Sequence, residues 1–211
     1  MMTPCLLCHS ESTASFFEGN TQSFYSCSQC GTVFRHPSNF ISASEEKARY
    51  LTHNNDVNDP RYRQFVSPIT EKVMEEFNTT SLGLDFGAGT GPVITEILTN
   101  KGYRLNLYDP FFHPDVSVLN ETYDFIVCCE VIEHFKKPQK EFSLLKRLLK
   151  PDGKLYCMTH LLCEPRDFTN WYYKDDPTHV IFYMEENLRW IRDNFGFSEV
   201  KIDERLIVFS R

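Results

Sequence analysis

At 211 residues with 41% apolar side chains, the chain has room for one medium domain plus a small one, each around a proper core. A formal net charge of -7 argues against a nucleic-acid footprint, and no apolar run approaches the ~20 residues that a bilayer-spanning helix needs. The opening MMTPCLLCHS lacks a basic stretch followed by an apolar core, so no secretory signal is read and a cytoplasmic, reducing location is expected. The eight cysteines are then thiols or metal ligands rather than disulfides.

Cys5 and Cys8, then Cys27 and Cys30, form two C-x-x-C pairs separated by residues 9–26, close to zinc-ribbon spacing. Each pair makes a tight knuckle with both thiolates on one side, and two knuckles close a tetrahedral four-thiolate site for a structural Zn2+. A closed site has no open position, so no catalysis is assigned to it. A redox dithiol would want one C-x-x-C beside a βαβ pattern. So short a module buries little surface, and metal would supply much of its folding energy. Phe16, Phe17, Phe24, Tyr25 and Phe34 are available to cover its hairpins. Residues 1–36 carry one basic side chain, Arg35, whereas a phosphate-gripping ribbon should carry several.

Next come a short helix capped by Ser42 or Ser44 and a polar loop over 51–60. An amphipathic helix over 61–77 follows, with Phe65, Ile69, Val73, Met74 and Phe77 at helical spacing and Pro68 as a break point.

The stretch 82–93, LGLDFGAGTGPV, reads as a buried strand running into a glycine loop and a helix. Leu82, Leu84 and Phe86 are strand-like, Asp85 is an acid near the strand end, and Gly87, Ala88, Gly89, Thr90 and Gly91 form a loop almost without side chains. Such a loop lets backbone approach a ligand and aims free N–H groups at it. A dinucleotide fingerprint would need a third glycine where Pro92 stands. The acid-x-Gly-x-Gly-x-Gly pattern instead resembles the first motif of the class I S-adenosylmethionine-dependent methyltransferases. Downstream residues extend the resemblance: Asp109 after the strand 105–108, then YDFIV over 123–127, EVIEHF over 130–135 and PDGKL over 151–155.

The resemblance covers about residues 60–211, and it is to small-molecule enzymes of that class such as quinone O-methyltransferases. It implies an α/β fold: a Rossmann-like, doubly wound, mostly parallel seven-stranded sheet with a reversed C-terminal hairpin, preceded by the zinc ribbon. The domains would be 1–38 (zinc ribbon), 39–66 (helical linker or lid) and 67–211 (methyltransferase). The usual helix and third strand are cut down to something like 116–119, and the acid that normally meets the adenine has no counterpart. The cofactor contacts implied are Asp85, the loop Gly87 to Gly91, Asp109 on the ribose, and Cys129 and Glu130 after the fourth strand. Related methyltransferases often carry a helix over the cofactor here, which would turn Tyr50, Tyr62 and Arg63 to the methionine carboxylate; the alternative is a solvated helix face with core aromatics. The segment 161–178, with Trp171, Tyr172 and Tyr173, is where this class builds its acceptor pocket.

For a hydroxyl acceptor a proton must be taken or a charge stabilised. Glu130, Glu133, His134 and His179 are the candidate catalytic residues. E-x-x-E-H with a later histidine resembles the metal site of small-RNA 2′-O-methyltransferases and of some quinone O-methyltransferases, which allows a second divalent metal. In metal-free relatives the histidine is a base or a packed residue. The reading is an S-adenosylmethionine-dependent methyltransferase acting on a small-molecule hydroxyl, with no nucleic-acid partner. The alternatives are an RNA methyltransferase gripping RNA with the ribbon, or a non-catalytic scaffold.

Overall fold

The computed structural model describes residues 3–19, 22–53, 55–163 and 165–211. Three residues named in the expectations above lie outside that range: the two methionines opening MMTPCLLCHS and Asn54 of the polar loop. Glu164 of the 161–178 segment lies outside it too.

Strands β4 (Leu82–Phe86), β5 (Arg104–Tyr108), β6 (Tyr123–Cys129), β7 (Leu149–Met158), β9 (Glu199–Asp203) and β10 (Leu206–Ser210) make one sheet in the order β5-β4-β6-β7-β10-β9. The first four are parallel, and β10 runs antiparallel to β7 and to β9. The sheet therefore has six strands rather than seven. Between β5 and β6 the chain makes only a tight bridge, Asp109 to His113, and a 3-10 turn over Val116–Asn120. A crossover helix plus another parallel strand needs a dozen or more residues for the connection alone. Pro110 and Pro114 also remove donors a strand would use.

The pleat sends alternate residues to opposite faces. Phe125, Val127, Tyr156 and Met158 meet α2 (Pro60–Glu76) and α3 (Val93–Thr99) through Val66, Ile69, Val73, Val93 and Leu98. Ile126, Cys128, Leu155 and Cys157 meet α4 (Pro138–Leu148) and α5 (Glu185–Phe195) through Phe142, Leu145, Leu188 and Ile191. Helix α2 runs unbroken through Pro68, because its buried stripe packs on the sheet at either side of that residue. Gly196 ends α5 at φ 74°, and the C-terminal hairpin turns at Glu204 and Arg205.

The N-terminal hairpins, β1 (Thr13–Glu18), β2 (Ser23–Cys27) and β3 (Val33–Arg35), form a second, antiparallel sheet. Its fourth strand is β8 (Ile181–Phe182), from the far end of the chain. Tyr25 stacks on Phe34 within the ribbon, but Phe16, Phe17 and Phe24 pack edge-on against Phe168, and Phe24 also against Phe182. A three-stranded sheet left alone would expose an edge and an apolar face. Ile181 and Phe182 cover the edge, and Phe168 and Phe182 cover the face. Helix α1 (Ala43–Tyr50) starts in a capping box made by Ser42 and Glu45. No described helix is long and apolar enough to cross a membrane.

Candidate active site

A cavity of about 1030 Å3 opens at the C-terminal ends of β4, β5 and β6. Its floor is the glycine loop. Gly87 sits at φ 83°, and a Cβ there would lie 2.4 Å from Val131. A Cβ on Gly91 would lie 1.8 Å from the Asn55 carbonyl oxygen. Packing alone therefore requires those two glycines. Gly89 differs: at φ 62° its nearest neighbour would be Asn55 Nδ2 at 3.7 Å, so the space above it belongs to the cavity.

Three of the five loop amides are turned away from that space. Gly87 and Ala88 N–H donate to the Tyr108 carbonyl at 2.7 and 3.2 Å, and Gly89 N–H donates to Asp109 Oδ2 at 3.1 Å. The expectation of free amides aimed at a ligand is corrected for these three, because β5 and the Asp109 that follows it end close enough to accept them; the Thr90 and Gly91 N–H groups have no hydrogen-bond partner among the described residues. With these donors turned inward, the Gly87 to Gly89 half of the loop makes no anion nest. It suits a ligand without phosphates better than a dinucleotide.

Asp109 also accepts from the N–H groups of Phe111 and Phe112 through Oδ1, at 2.8 and 3.0 Å, and still borders the cavity. His113, which no sequence pattern marked, braces the loop from outside through Nε2 and the Gly89 carbonyl at 3.1 Å. Ala88, Thr90, Cys129 and Glu130 line the cavity, as do Tyr50 and Tyr62. Three residues read as cofactor contacts do not line it. Asp85 lies behind the loop, accepting from Thr95 Oγ1 at 2.7 Å, and burial pushes its carboxyl up to about 6. Gly91 is covered by Asn55, and Arg63 turns away to donate to the Val57 carbonyl at 3.0 Å.

The opposite wall starts where β6 ends. Glu130 has φ 51°, a left-handed backbone that costs a non-glycine residue about 1–2 kcal/mol. The bend throws the chain into a 3-10 turn over Ile132–His134. Glu130 is outside that turn, so it does not share a helical face with Glu133 and His134. Instead Tyr173 joins the two carboxylates, donating to Glu133 Oε1 and lying 3.2 Å from Glu130 Oε2. Glu133 is fully buried, and burial together with the Glu130 charge raises its carboxyl well above the usual range. Burial raises Glu130 to about 7. Among the described residues, Glu130 Oε1 and Glu133 Oε2 are buried without a hydrogen-bond partner.

The two histidines are held alike. His134 Nδ1 lies 3.0 Å from the Thr178 carbonyl and His179 Nδ1 lies 2.6 Å from the Tyr173 carbonyl. A carbonyl can only accept, so each ring carries its proton on Nδ1, and Nε2 keeps its lone pair. Burial lowers both imidazoles, His179 to about 3, so both are neutral at pH 7. The rings lie 4.9 Å apart, and one ligating atom from each of Glu133, His134 and His179 falls within 4.8 Å of the others. Of the expected set, Glu133, His134 and His179 converge, and Glu130 joins them through Tyr173.

A second cluster lies away from the cavity. Sulfur atoms of Cys5, Cys8, Cys27 and Cys30 fall within 4.8 Å of one another, with Cys5–Cys30 at 3.6 Å and Cys8–Cys27 at 3.5 Å.

No curated protein sequence matches the chain. A family model described as a methyltransferase domain matches residues 59–202, more than half of it. Among solved structures, a SAM-dependent methyltransferase from Archaeoglobus fulgidus is similar over 71% of this chain and 94% of its own, at 17% identity and TM-score 0.54. A candidate O-methyltransferase of Nostoc punctiforme PCC 73102 is similar over 80% of this chain and 67% of its own, at 11% identity and TM-score 0.53. An O-methyltransferase family protein from Burkholderia thailandensis is longer: this chain covers 61% of it, at 13% identity and TM-score 0.49. The chain belongs to the methyltransferase-domain family, in its S-adenosylmethionine-dependent, Rossmann-like class.

Proposed function

We propose that the chain methylates a hydroxyl oxygen of a small molecule. S-adenosylmethionine, when bound, supplies an electrophilic methyl group on a sulfonium centre. The open space over Gly89 and the inward-turned amides suit this phosphate-free cofactor, and Asp109 keeps lone pairs for its ribose hydroxyls.

The observation that carries the reading is the pair of neutral imidazoles. Their Nδ1 protons go to backbone carbonyls, leaving Nε2 of both to meet an acceptor hydroxyl in the cavity. His134 suits taking the hydroxyl proton as oxygen attacks, whereas His179, held at about 3, is too weak a base for that and helps the rigid wall hold the acceptor in line. The unpartnered buried oxygen of Glu133 favours a second reading, in which Glu133, His134 and His179 hold a divalent cation. An Nδ1–H donated to a carbonyl is how metal-binding histidines are oriented. A cation there would supply charge stabilisation for the acceptor oxygen. The four cysteines have the donor chemistry and mutual spacing of a structural zinc site.

The cavity walls are aromatic and acidic, and the one cation in residues 1–36, Arg35, is buried at 3% exposure, which favours a small acceptor over RNA. The test is transfer of a labelled methyl group to metabolite and RNA fractions, with and without chelator. Label in small hydroxyl compounds is expected. Label in RNA alone would overturn the proposal, and chelator-insensitive transfer would remove the catalytic cation.

A further inference from the structure

The segment Tyr173 to His179 carries His179 and crosses the cavity wall, yet it has little regular structure beyond a 3-10 turn over Tyr172–Asp175. Its backbone carbonyls must find donors elsewhere. Two go to the histidines: Tyr173 O to His179 and Thr178 O to His134. Three others go to one residue. Arg35, at the end of β3, donates from Nε to His179 O at 2.9 Å, and from Nη2 to Lys174 O at 2.7 Å and Asp176 O at 2.9 Å. Its Nη1 donates to Gln22 Oε1 at 2.6 Å, and its own backbone N–H donates to Val180 O at 2.8 Å.

Arg35 lies over the Phe24 ring at 4.9 Å. Among the described residues its protons go to these carbonyls and an amide rather than to a carboxylate. Burying a guanidinium with no carboxylate in direct contact is costly: burial lowers it to about 10, and the nearby Asp176 and Asp175 charges offset only part of that. A chain needing only apolar cover for Phe24 would not place a cation there. The planar fork of donors is what three carbonyls from one loop require.

We infer that Arg35 is a positioning residue for the acceptor site, through which the ribbon sets the place of His179. The ribbon is in this respect part of the catalytic wall. The inference rests on the reading of His179 as an acceptor-site residue.

The test uses the whole 211-residue chain, purified with zinc in the buffers, as Arg35→Met and Arg35→Lys, with three readouts that need no acceptor: calorimetry with S-adenosylmethionine, amide hydrogen exchange, and the His179 Nδ1–H signal in nitrogen–proton spectra. For Arg35→Met, exchange over 173–182 is expected to rise roughly tenfold or more, and the His179 signal to disappear. Exchange over 82–98 and cofactor affinity should stay at the parent's level. Arg35→Lys should be intermediate, because one ammonium cannot span three carbonyls. Parent-like exchange and a retained His179 signal in Arg35→Met would make Arg35 a packed cation and overturn the inference. If Arg35→Met does not fold, parent-like protection in Arg35→Lys overturns it instead. A parent chain that binds no S-adenosylmethionine would defeat the methyltransfer proposal and leave the other two readouts decisive for Arg35.

Discussion

The glycine cradle is made from one run of chain, residues 85–113, whereas the wall facing it draws Arg35, Glu133, His134 and His179 from separate stretches. In the cradle, strand, loop and next strand are neighbours in sequence and in space, and the Gly87, Ala88 and Gly89 N–H groups find acceptors one strand away. In the wall, the histidine loop is held on one side by the Arg35 guanidinium and on the other by Arg49, which pairs with Asp176 at 2.8 Å. The cradle is therefore local in its hydrogen bonds, borrowing only packing from Asn55 and Val131, and the wall depends on the ribbon and on α1. Changes in one half should leave the other half's function readable.

The largest expected effect is on the wall. His134→Ala and His179→Ala should each lower turnover about 100-fold to 10,000-fold once an acceptor is in hand, with cofactor affinity unchanged. Near-normal turnover in both would remove the histidines from the chemistry, and a parallel loss of cofactor binding would show that the two halves are not separable.

Replacing Cys5 and Cys27 together by Ser should abolish zinc in elemental analysis. It should also loosen β1, β2, β3 and β8 by several kcal/mol, as loss of a structural metal does in small modules. Hydrogen exchange should rise over 173–182 with the ribbon and stay low over 82–98. Zinc retained in full would show that the cysteines are not its ligands.

The cradle is tested by its glycines. Gly89→Val should weaken S-adenosylmethionine binding by about tenfold to 100-fold, by filling the space above the loop and straining a left-handed position. Gly87→Ala should instead act on stability, by about 1–3 kcal/mol, through its clash with Val131. Calorimetry and thermal melts together distinguish these outcomes, and equal losses of affinity and stability in both variants would contradict the assignment.

The smallest effect concerns pH. Burial raises Glu130 to about 7 in the folded chain, above its ordinary value of 4.5, so between those values the folded state binds more protons than the unfolded one. Stability attributable to Glu130 is present below pH 4.5 and falls as pH rises towards 7. Glu130→Gln in chelator should thus gain roughly 1–2 kcal/mol at pH 8 and little at pH 4.5, less than the full shift because the site is partly solvated. Because His179 is depressed, its own contribution weakens as pH falls below its ordinary 6.5, the opposite direction, and the difference between variant and parent cancels it. A gain independent of pH would mean that Glu130 is not the group that titrates.

The spacing of residues determined the cradle and the cysteine cluster before any tertiary contact was known. C-x-x-C pairs, a glycine loop and alternating apolar strands are encoded within a few residues, and their geometry follows from local backbone rules. The sequence also placed Glu130, Glu133, His134 and His179 after the right strands. Their convergence was decided by tertiary structure, because the 3-10 turn at Ile132–His134 and the bridge through Tyr173 depend on partners some 40 residues away. The missing seventh strand was legible only as a short connection, and the tight Asp109 to His113 bridge that replaces it was not. Arg35 looked from the sequence like a lone basic residue of a poorly charged ribbon. Its role exists only because Ile181–Phe182 pairs with Val33–Phe34 and carries the histidine loop to its side chain. A long-range pairing of two residues on each strand leaves no periodic trace in either segment, so only the folded chain could reveal it.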